Sequence, residues 1–170
     1  MSNLKNKNNL VGNLKKAFNT WKKEVNFKSS FEELDEVFFI QDYVLAYGFV
    51  STKINRMICS RIKDTFYSWV QQIHSWLIPT PYSIISTSES QLFNDKEKEE
   101  LNVILKDFMS IVAFNTEVGL TKDKQKEAEY VDKSLEIWRK HLPSLIKFSK
   151  KVRNFWEGKK QKSSDNYEIN

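Results

Sequence analysis

The chain holds one cysteine, Cys59, so it has no partner for an intramolecular disulfide, and a reducing compartment, the cytoplasm, is expected. Three prolines and four glycines are too few for the many turns of a β-sandwich. No stretch approaches the roughly 18 uncharged apolar residues of a membrane span; the densest one carries Asp42 in its middle. The lysine-bearing start has no apolar core or small-residue cleavage site, so no secretory signal is expected there. Catalytic signatures are equally scarce. There is no CxxC pair, HExxH, ExxH or glycine-rich phosphate loop. The two histidines, His74 and His141, have no carboxylate at ligand or triad spacing nearby. His74 follows Cys59 by about 22 Å on a continuous helix, too far for a Cys–His dyad. No enzyme, metal or cofactor is expected.

What is present is helical periodicity and segregated charge. Hydrophobic residues make up 40% and charged ones 29%, the balance of a globular domain, and 170 residues suffice for one core. The spacing predicts an all-α, single-domain bundle of five to six helices over residues 10–158, between disordered segments 1–9 and 159–170. The organising stretch runs from Phe31 to Pro79. Its middle, Val37–Val50, is apolar nearly all round and is read as the buried centre. Gly48 either breaks this stretch or kinks a continuous helix. From Ile54 the apolar positions follow steps of three and four through Ile58, Ile62, Phe66, Trp69 and Ile73.

Ser30 with Glu33, and Asn94 with Glu97, have the spacing of capping boxes. Pro79 and Pro81 open a long loop, 79–94, whose Tyr82, Ile84, Ile85 and Leu92 are expected to pack on the bundle as a strap; partner binding or phosphorylation is the alternative. Gly119 is expected to end a helix in a tight hairpin, with Thr121 capping the next. That next helix carries Ala128, Val131, Leu135, Trp138 and Leu142 until Pro143 kinks it or starts a sixth. His141 is then expected beside free C-terminal carbonyls.

The net charge of +5 hides an asymmetry. Met1–Lys28 and Pro143–Lys162 each sum to +6, whereas Ser29–Val50 holds five acids and no base. Asp42 sits among aromatics there, so it must lie at a rim or pair with Arg56 or Arg61. If the first and last helices are neighbours, Lys15, Lys16, Lys22, Lys23, Lys147, Lys150, Lys151 and Arg153 share one surface able to contact phosphates non-specifically, on RNA or DNA. Otherwise they form a solvated face. The aromatic content, 12 Phe, 6 Tyr and 5 Trp, exceeds what one core readily hides. The sequence therefore favours a non-enzymatic interaction module that binds a protein partner or itself, with nucleic-acid association as the alternative. Membrane-surface binding is disfavoured because the apolar faces are needed for packing.

Overall fold

The computed structural model describes residues 2–159, with side chains from Asn9 onward. Among the described residues every regular element is an α-helix, and there are seven rather than five or six: α1 (Ser2–Glu24), α2 (Phe31–Phe38), α3 (Ile40–Tyr47), α4 (Ile54–Leu77), α5 (Ile84–Ser90), α6 (Asp95–Thr121) and α7 (Lys124–Trp156). Met1 and the tail beyond Lys159, where disorder is expected, lie outside the described residues. α1 begins at Ser2 instead of Leu10. Asn and Lys cost little once a helix propagates through them, so the missing apolar stripe does not end it.

The centre of the molecule is α4, which packs against each of the other helices. Its Ile58, Ile62, Phe66, Ile73 and Trp76 are buried, as their spacing predicts, while Trp69 is half-buried. Arg56 meets Gly119, Phe66 meets Phe108 and Trp76 meets Phe93, so α6 runs antiparallel to α4. Tyr130 reaches Cys59 and Trp138 meets Phe66, so α7 runs parallel to α4. Trp138 joins the layers, with the rings of Phe38, Phe66, Trp69 and Phe108 centred 6.0–6.5 Å from its own. Burying each such side chain contributes about 1.5–3 kcal/mol.

Val37–Val50 is not that centre. Two left-handed residues cut it, Phe39 (φ 53°) and Gly48 (φ 75°). The Gly48 break is therefore real, and Phe39 adds one that apolar periodicity could not reveal. Short helices bury one face each: Phe38, Ile40 and Val44 point inward, while Phe39, Tyr47 and Phe49 are exposed. α1 packs on α3 and α4 beside them.

The two capping boxes form as their spacing predicts. The α6–α7 hairpin turns three residues later than Gly119, at left-handed Lys122, and Asp123 caps α7 by accepting from the Gln125 and Lys126 amides. Gly119 stays helical, and Arg56 lies against it; an added Cβ would sit 3.2 Å from the guanidinium. Its smallness serves close approach, not backbone conformation. α7 continues through Pro143, so no sixth helix begins there, and His141 lies mid-helix rather than at a C-terminus. Segment 79–94 is not wholly a loop. Ser83 caps α5, and Phe93 and Leu92 anchor it, but Tyr82, Ile84 and Ile85 face solvent instead of packing as a strap.

Candidate functional site

The expected partners of Asp42 are engaged elsewhere. Arg61 donates to the Phe38 carbonyl at 2.7 Å and lies over the Tyr43 ring. Arg56 approaches Glu127, with Nε 3.7 Å from Oε1. Asp42 is exposed at the rim and forms no ion pair among the described residues. The most deeply buried carboxylate among the described residues is instead Glu127, only 1% exposed, which also accepts from Asn55. Its phase was the available signal, four residues before Val131 on the inner stripe of α7. Beside it, burial pushes the Cys59 thiol and the Tyr130 hydroxyl well above their ordinary ranges. Cys59 is thus a protonated core residue at neutral pH. His74 is exposed on the same continuous α4, so the two make no dyad. His141 is buried, and its Nε2 lies 2.7 Å from Asp107 Oδ2. A hydrogen bond from Lys140, reinforced by His141, holds the Asp107 carboxyl below the usual range. Among the described residues no group of three or more His, Cys, Asp and Glu gathers around a common point.

Among the described residues the lysines of the two ends do not merge into one field. Lys15 pairs with Glu32, Lys147 with Glu100, Lys151 with Glu97 and Arg153 with Glu157, while Lys22 donates to the Ser29 carbonyl. Lys16, Lys23 and Lys150 have no carboxylate partner among the described residues. Lys124, at the start of α7, holds Glu24 at the end of α1. Lys150 lies about 39 Å further along α7 at 1.5 Å per residue. α1 packs mainly on α3 and α4, and α7 on α4 and α6.

Surplus aromatics do reach the surface, and besides the exposed apolar residues of segment 78–85 two places collect apolar side chains there. On α3, Tyr43 and Tyr47 follow one another at four-residue spacing, Phe49 continues the row past the helix end, and left-handed Phe39 precedes the helix. The Tyr43 and Tyr47 rings are 4.7 Å apart, and those of Tyr47 and Phe49 6.5 Å. Phe39, Tyr47 and Phe49 are 55–60% exposed, Tyr43 less so. The acids Glu36 and Asp42 stand exposed on the same segment.

The second place is the seam between the far halves of α4 and α7. Two adjoining hollows of about 230 and 320 Å³ share Trp69, Ser149 and Arg153. Leu142 and Ile146 open onto the first beside Lys150. At the far end Glu89 of α5 accepts the indole N–H of Trp76 on one oxygen and of Trp156 on the other, each at 2.9 Å. That carboxylate ties α5 to both long helices. Phe155 and Trp156 are partly exposed there.

No family model, curated protein or solved structure matches the chain. Among the described residues no helix is long and apolar enough to cross a membrane.

Proposed function

We propose that the chain is a non-enzymatic helical interaction module that docks through the aromatic row of α3. The observation carrying this reading is the contiguity of the Tyr43, Tyr47 and Phe49 rings, most of it in solvent, with exposed Phe39 just before the helix. Large aromatic side chains lose little conformational freedom on binding and bury much area, so clusters of them favour protein contacts. Phe39 supports the same reading. It holds a left-handed backbone that costs a non-glycine residue about 1–2 kcal/mol, yet its ring packs away from the core. Such strain recurs where a side chain is held out for function.

Nucleic acid is the weaker reading. Base stacking requires aromatics within a basic groove. Here the guanidinium over Tyr43, Arg61, is held by the Phe38 carbonyl, Asp42 stands exposed on the same helix, and Lys16, Lys23 and Lys150 lie apart on α1 and α7. A photo-crosslinking residue at position 47, introduced into the chain in its own cells, tests the proposal. The expected product is a discrete protein adduct, absent when the same residue stands at exposed position 116 on α6. No adduct specific to position 47 overturns the reading.

A further inference from the structure

The α3 face and the α4–α7 seam are complementary. The first is aromatic with the exposed acid Asp42, and Glu36 stands exposed on adjoining α2. The second is apolar, with Trp69, Leu142 and Ile146 beside the cations Lys150 and Arg153. Its first half is already filled from within, where Phe38 of α2 lays its ring against Phe66 of α4 and Trp138 of α7. Beyond Trp138 the hollows at Trp69 are open, up to the Glu89 tie.

Resting on the docking role of α3, we infer that the occupant of this seam is a second copy of the chain, whose α3 row enters it and continues the packing that Phe38 begins. Charge selects the arrangement. A two-fold contact through α3 alone would set Asp42 against the same acid. A two-fold contact through the seam would oppose Lys150 and Arg153 to themselves. Face to seam, acids meet cations and rings meet aliphatic side chains. Among the described residues the competing ion pair is Arg153 with Glu157 at 3.6 Å, an exposed pair worth little. Because the two surfaces belong to different elements, the contact is head-to-tail and each copy keeps one free end. It therefore builds chains or rings rather than closed dimers.

Sedimentation velocity on the full chain tests this, from micromolar to near-millimolar concentration. Wild type should sediment as a series of growing species that salt weakens. Tyr47→Ser/Phe49→Ser removes one half of the contact and Lys150→Glu/Arg153→Glu the other, so each variant alone should weaken association at least tenfold. An equimolar mixture should give a dimer and nothing larger, because only one productive pairing remains. Asp42→Lys combined with Lys150→Glu should recover part of the lost association. All changes are on exposed side chains, and melting curves check that each variant folds. A monomeric wild type at every concentration overturns the inference, as does a mixture that stays monomeric. If wild type is monomeric while position 47 crosslinks to another protein, the docking role of α3 stands and the second copy is excluded. If neither occurs, both are lost.

Discussion

Glu127 carries more of the fold than its place in a lysine-rich stretch implies. Its carboxylate is buried against Asn55 and Arg56, and its backbone carbonyl faces the Cys59 thiol at 3.9 Å. Arg56 Nη1 is itself buried without a hydrogen-bond partner. Removing the acid leaves that cation uncompensated, so Glu127→Ala should lower stability by about 3 kcal/mol in urea unfolding. Glu127→Gln retains an acceptor and should cost about a third as much. Asp107 gives a second test, with a pH signature. Its pKa is depressed by Lys140 and His141, so its stabilisation is fully present above the unfolded value, about 3.9, and is lost as pH falls through the lower folded value. Asp107→Ala strands buried His141 and should cost about 1–3 kcal/mol at neutral pH, with the gap to wild type narrowing below about pH 4. The sequence points to Asp42 as the troublesome carboxylate because its neighbours are aromatic. Neighbours along a chain do not decide burial when the backbone breaks on either side, at Phe39 and Gly48.

At the scale of elements, what was legible was what local chemistry dictates. Ser30 with Glu33 and Asn94 with Glu97 cap where their spacing says, and the Ile54–Trp76 stripe faces inward. Positive-φ positions were not legible, because Phe39 and Lys122 are not residues that advertise a left-handed turn. Those two positions account for the extra helix in the spine and for the displaced hairpin. Phe39→Gly should therefore leave stability unchanged or raise it by up to about 1 kcal/mol, while removing one ring from the docking row; thermal unfolding measures it. Of the two readings of Pro143, a kink within a helix or the start of a sixth, the second fails because the helix runs on through it. Proline forbids one hydrogen bond, to the Arg139 carbonyl, but on an exposed face α7 continues past it. Replacing Pro143 with alanine should stabilise the chain by about 1–3 kcal/mol, as read from the urea midpoint.

On the scale of the whole molecule, the organising element is α4, and the most apolar stretch is a satellite of it. Amphipathic α4 reaches every other helix because its length and continuous stripe give it surface on several sides, whereas Val37–Val50 is divided into pieces too short to surround. The aromatic surplus visible in composition emerges as the α3 row. Composition alone could not place it, since Phe38 and Phe39 are adjacent and only the backbone turn between the helices separates core from surface. The measurement that bears most directly on this division is urea unfolding of Phe39→Ser/Tyr47→Ser/Phe49→Ser at high dilution, beside wild type. A row held out for contact predicts stabilities within about 1.5 kcal/mol of each other and equal slopes. A loss of about 3 kcal/mol or more would place those rings in the core and contradict the account.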